Sequence, residues 1–220
     1  MLLAALETAI LVVFLGAALF LSAGRVDWPM AWAFMGVWLA FSALGFLVLS
    51  RALIVERGRL VAGGERSDLL LASSFAVLLY PGTLITCGLD TRFAWSPPLP
   101  EIAQLLALGL FAVGYAFAFW AMYVNPFFST VVRIQAERGH RLVDQGPYRF
   151  VRHPGYAGAM AAHLVLPIAL DSLWGLVPAV LGSVLLAARS VREERTLERE
   201  LAGYSAYILR VRWRLLPGIW

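Results

Sequence analysis

A chain of 220 residues that is 60% hydrophobic and 15% charged, with a mean hydropathy of +0.75, is excluded from the class of ordinary soluble domains. All 18 basic residues are Arg, giving a formal net charge of +4, and their placement accounts for that excess without nucleic acid. A single cysteine, Cys87 inside an apolar run, excludes an internal disulfide and forms no metal-ligand pattern.

Four apolar runs, 3–23, 28–50, 69–88 and 102–123, each have the roughly 20 residues needed to cross a hydrocarbon core. The first lacks a basic leader and is too long for a cleaved signal, so it reads as a span. Pro81-Gly82 predicts a kink in the third. The connection 125–152 is long, with an extended-looking 130–135 stretch and a turn at Gly139, and reads as a small hairpin or lid. Two shorter runs, 156–170 and 174–188, are joined by Asp171-Ser172-Leu173. At 1.5 Å per residue each reaches only about 23 Å, so they predict a tight helical hairpin that thins the protein or stops below the far face. Residues 189–210 read as a separate cytosolic helix with Leu197, Leu201, Tyr204 and Ile208 on one face.

The expected fold is an all-α integral membrane protein of about six transmembrane helices, the last two a short hairpin, plus a cytosolic C-terminal helix. It forms one domain, with motif-free helices in 1–123 and the chemistry in 124–220. Arg51, Arg57, Arg59 and Arg66 fall in the second connection, Arg133, Arg138, Arg141, Arg149 and Arg152 in the fourth, and seven more follow from Arg189. Only Arg25 and Arg92 fall in the other loops. The positive-inside rule then puts both termini in the cytosol of a multi-pass protein, with a cell inner membrane the expected location.

The chemistry concentrates at 146–158, Gly-Pro-Tyr-Arg-Phe-Val-Arg-His-Pro-Gly-Tyr-Ala-Gly. His153-Pro154 predicts a helix start, and the free N–H groups of Gly155 to Ala157, with Arg149 and Arg152 before them, form an anion site at the membrane boundary. Arg189 and Glu193 share a helical face. They read either as a local ion pair or as a guanidinium for an acceptor carboxylate beside a carboxylate for a polar cofactor. His163 lies seven residues after Tyr156, on one face with Met160. It is either an acceptor contact inside the membrane or a neutral imidazole bonded to a backbone carbonyl.

Three ordered pieces carry a resemblance: Gln135 with His140-Arg141-Leu142-Val143; the 146–156 block with its Arg-His-Pro core; and Arg189, Glu193-Glu194 and Leu197 followed by Gly203-Tyr204, Tyr207 and Leu216-Pro217. Together, over about 125–217, they resemble the isoprenylcysteine carboxyl methyltransferase family and its relatives, the membrane phospholipid methyltransferases. Two departures stand out: Gly155 where many members have Ser, and Ala202-Gly203 in place of Phe-Gly. The resemblance implies S-adenosylmethionine as cofactor, held by Gln135, His140, Val143, Tyr148, His153, Pro154, Gly155, Tyr156 and Glu193, with no metal. It implies Arg189 as the catalytic, acceptor-contacting residue, a lipophilic small-molecule or lipidated acceptor, and membrane lipids as further partners. Carboxyl O-methylation is the favoured reaction. N-methylation of an aminophospholipid, S-methylation of a small thiol, a sterol reductase using a nicotinamide cofactor and a non-catalytic assembly factor are the alternatives.

Overall fold

A computed structural model describes residues 2–58 and 66–220, with no strand among them. Helices α1 (Leu2–Ala23), α2 (Pro29–Val48) and α6 (Glu101–Val124) are long and apolar enough to cross a membrane. So is the bent rod Asp68–Phe93, built from α4 (Arg66–Val77) and α5 (Thr83–Phe93). A short α3 (Arg51–Gly58) precedes that rod. The expected kink is a single π turn, Leu78–Gly82, between α4 and α5. Pro81 has no N–H to donate, and Thr83 Oγ1 donates to the Leu78 carbonyl at 2.9 Å.

Two later helices complete the fold, α7 (Pro154–Ala169) and α8 (Leu176–Glu200). Their packing follows from small residues in register. A Cβ on Gly114 of α6 would lie 2.8 Å from Ala162 N, and one on Gly158 of α7 would lie 2.5 Å from Gly114 O and 2.6 Å from Ala118 N. Glycine at both places lets the two backbones touch, which is how helices gain dispersion contact where lipid offers no hydrophobic drive.

Helix α8 runs without a break through Arg189, so the separate helix expected over 189–210 does not exist. At 1.5 Å per residue its 25 residues span about 37 Å. No Gly or Pro interrupts 183–200. The break comes at Leu201, whose backbone is extended, and Gly203, with a φ of +82°, turns the chain into α9 (Tyr204–Arg210). The 125–152 connection is likewise not a β-hairpin. It is irregular backbone with two short 3₁₀ turns, Ala136–Arg138 and Gly146–Arg149.

The α7–α8 turn does not stop short of the far end. Asp90 Oδ2 accepts from Ser172 Oγ at 2.6 Å, and Asp171 Oδ1 accepts from Leu99 N at 2.6 Å, clasping the turn to the α5–α6 connection. Arg92 lies against Gly24 at this same end. The start of α7, the end of α6 and Asp68 meet at the opposite end. Reporter fusions after Arg25 and after Arg92 are expected to read external, and one at Trp220 cytosolic. A cytosolic reading after Arg92 would overturn the positive-inside assignment. Arg59, counted in that assignment, lies outside the described residues.

Candidate active site

Where α7 begins, the 125–152 connection and the C-terminal segment fold over it and leave a cleft of about 800 Å³, its open mouth included. His140, Val143, Tyr148, His153, Pro154, Gly155, Tyr156, Arg189 and Glu193 all line it.

Its floor is the helix start. Pro154 occupies the first turn of α7, as the His-Pro dipeptide predicted, but Ala157 N donates to His153 O at 3.0 Å. Only Gly155 and Tyr156 are left to present free N–H groups. The phenyl ring of Phe128 covers this turn, at 2.6 Å from where a Cβ on Gly155 would lie. Glycine in place of serine at 155 therefore leaves the space that Phe128 fills.

The positive charge expected beside the helix start is already committed. Arg152 donates through Nε and Nη2 to Glu194, at 2.9 and 3.1 Å, and Arg214 forms a second fork on the same carboxylate, at 3.0 and 2.8 Å. Arg152 Nη1 also donates to the carbonyls of Val211 and Arg212. Arg149 is exposed. Burial works against ionisation of Glu194, but His153, Arg214 and Arg152 outweigh it and hold the carboxyl well below the usual range. The three-charge cluster fastens the C-terminal segment to α7, which also receives backbone bonds from Arg152 N to Trp213 O and from His153 N to Arg214 O. His153 Nε2 is 3.4 Å from Glu194 Oε2, out of line for a hydrogen bond, and is buried without another partner among the described residues.

The walls come from the connection and α8. Gln135 does not face the cleft. It is fully buried, with Nε2 donating to Phe127 O at 2.7 Å and Oε1 accepting from Arg138, so it shapes the loop. Its backbone N–H donates to His140 Nδ1 at 3.2 Å, which fixes the neutral ring with its proton on Nε2. Burial, then the charges of Arg138 and Arg133, push the His140 pKa down and favour that neutral form. His140 stacks on Phe127 with ring centroids 4.5 Å apart. Tyr148 is held by Asn125 Nδ2 at 3.0 Å, and its carbonyl accepts from Tyr207 Oη at 2.7 Å. Tyr156 Oη donates to Glu193, and the Tyr156 ring stacks against His153 at 5.6 Å.

Arg189 does not pair with Glu193. Its guanidinium forks onto Asp68 of the bent rod, with Nε to Oδ1 at 2.9 Å and Nη2 to Oδ2 at 3.1 Å, and Nη2 also reaches Thr130 O at 2.7 Å. Both side chains are buried, and the guanidinium lies between the rings of Phe75 and Tyr156, at 5.5 and 5.8 Å. Asp68 was not among the residues singled out from the sequence. The available signal was an acid at the mouth of an apolar run.

His163 and Met160 lie away from the cleft. His163 faces a small apolar void with Tyr80, Phe111 and Tyr115, its Nδ1 on Ala159 O at 2.8 Å, the structural arrangement weighed for it from the sequence. Met160 packs against a satellite apolar cluster of Val151, Ala157 and Leu215.

Residues 102–202 match the phospholipid methyltransferase family. The match covers a little under half of the chain. The matched stretch begins at α6 and covers α7, most of the cleft wall and all of α8, so it includes most of the residues that carried the resemblance. The chain is also 33% identical over 137 residues to the lamin-B receptor of Drosophila melanogaster, an alignment covering 57% of this chain and 18% of that protein. The chain thus spans less than a fifth of the curated relative it matches. Four helices long and apolar enough to cross a membrane, and similarity over 102–202 to a family of phospholipid methyltransferases, are what the structure and these matches give.

Proposed function

We propose that the chain is a membrane-embedded S-adenosylmethionine-dependent methyltransferase acting on the carboxylate of an apolar, prenylcysteine-like acceptor at the cytosolic membrane boundary. The supporting observation is the set of groups converging on one cleft. His153 and Tyr204 line it; Tyr204 Oη is buried without a hydrogen-bond partner among the described residues, and His153 Nε2 has only the 3.4 Å approach of Glu194. His140 offers Nε2–H, Gly155 and Tyr156 offer backbone N–H groups, and Glu193 offers a carboxylate.

This donor and acceptor set fits a zwitterionic nucleoside-bearing cofactor, which when bound supplies a methyl group on a sulfonium. Glu193 suits its ammonium, the first turn of α7 suits its carboxylate, and His140, His153 and Tyr204 suit its ribose and base. The leaving thioether is neutral and needs no acid, and a carboxylate nucleophile needs no base. The task left to the side chains is alignment and exclusion of water. Phe128 and the 125–152 connection roof the site. Arg189 Nη1 has no partner among the described residues, so it offers the acceptor one N–H contact instead of the full fork expected from the sequence.

A second reading, transfer to the nitrogen of an aminophospholipid or to a small thiol, is favoured by Asp68. Its charge offsets the guanidinium that makes an amine nucleophile awkward beside Arg189, and the family match names phospholipids. Protein in nanodiscs given labelled S-adenosylmethionine and membrane extract is expected to yield label that mild base releases as methanol. Label resisting base would move the assignment to the amine or thioether product. Absence of cofactor binding by calorimetry would leave the non-catalytic assembly factor.

A further inference from the structure

We propose that Asp68, outside the family-matched segment, is the residue that sets the charge of the acceptor subsite by cancelling Arg189. The pair is bidentate at 2.9 and 3.1 Å and buried on both sides. Asp68 Oδ2 also accepts from Val132 N at 2.9 Å, and Arg189 Nη2 donates to Thr130 O, so the same pair pins the roof of the cleft. Of the neighbouring charges on α8, Glu194 is neutralised by Arg152 and Arg214, Arg192 is exposed and acts on Asp68 from the solvent side, and Glu193, hydrogen-bonded only to the neutral Tyr156, keeps its charge. What faces the acceptor at Arg189 is therefore a directional N–H without a free cation behind it.

This matters for the reaction and rests, in that respect, on the methyl-transfer reading. As the acceptor oxygen takes the methyl carbon, a C–O bond forms, the C–S electron pair stays on sulfur, and one negative and one positive charge cancel. The acceptor's charge is largest before transfer. A free guanidinium would stabilise that ground state more than the transition state and slow the step. With Asp68 behind it, Arg189 orients the carboxylate without over-stabilising it.

The test uses full-length protein in nanodiscs and two probes of equal chain length, octanoate and octylammonium. Asp68→Asn is expected to tighten octanoate and weaken octylammonium, each by about tenfold, as removal of one charge near an acceptor at an intermediate effective dielectric predicts. Cofactor affinity is expected to hold within about twofold because Asp68 does not line the cofactor wall. Asp68→Glu and the neutral pair Asp68→Asn/Arg189→Gln are both expected to keep the wild-type preference between the probes, which keeps the test available if Asp68→Asn alone does not fold. With a turnover assay in hand, Asp68→Asn lowers both KM and kcat for a carboxylate acceptor. Probes that weaken together along with the cofactor, or that do not change, would overturn the inference in favour of a purely structural clamp. Wild-type protein that fails to bind S-adenosylmethionine would remove the methyl-transfer reading, while the two-probe comparison would still decide the role of Asp68.

Discussion

Glu194→Ala is expected to destabilise the protein by about 3–5 kcal/mol, the usual cost of stranding buried charges by removing their partner. Two guanidiniums, Arg152 and Arg214, both fork onto this one carboxylate, and Arg152 and Glu194 are buried. Loss of Glu194 leaves Arg152 with only carbonyl acceptors and frees the C-terminal segment from the start of α7. Thermal unfolding in detergent measures the loss, and an unchanged transition would mean the cluster contributes no net stability. The same carboxylate sets an acid limit. Its folded pKa is depressed, so its contribution is present above the ordinary carboxylate value of 4.5 and is lost as pH falls through the lower folded value. Glu194→Gln is expected to flatten that part of the stability–pH curve.

Glu193→Gln is expected to weaken S-adenosylmethionine binding by roughly 10-fold to 150-fold, because a lost hydrogen bond to a charged group costs about 1.5–3 kcal/mol. The side chain lines the cleft, and Tyr156 Oη is its only hydrogen-bond partner among the described residues, so it keeps capacity for a ligand. Arg189→Lys gives the contrast. An ammonium keeps the charge beside Asp68 but not the planar fork, so turnover is expected to fall while cofactor affinity stays within about threefold. Calorimetric titration of the two variants decides the matter. Near wild-type cofactor affinity in Glu193→Gln would sink the assignment of α8 to the cofactor wall. Arg189→Ala is a poorer probe, since it strands Asp68 in a buried place.

The neighbours Glu193 and Glu194 show how far local pattern reaches. The four-residue spacing put Glu193 on one helical face with Arg189, which is a property of 3.6 residues per turn and needs no tertiary information. Which acid serves the cleft and which serves the fold was not readable that way, because the arginines that claim Glu194 come from 42 residues before it and 20 residues after it. Arg152 illustrates the same point. Its place beside His-Pro suggested charge offered to a ligand, but a guanidinium goes to the acid that long-range packing brings, and the C-terminal segment brought it one.

The sequence by itself determined the elements whose cause is local. Hydrophobic runs long enough for a bilayer made the four long apolar elements, Pro81 made the bend, His153-Pro154 set the start of α7, and the ordered motifs marked the wall of the cleft. Tertiary structure decided what depends on pairing across the chain: that α8 continues through Arg189 without ending there, that the 125–152 connection is an irregular roof, that His163 and Met160 turn away from the cleft, and that Arg189 is held by Asp68. The physical reason is range. Helix formation and hydropathy are summed over neighbours in sequence, whereas a buried charge takes its partner from whichever helix the close backbone contacts, such as Gly114 against Gly158, place beside it.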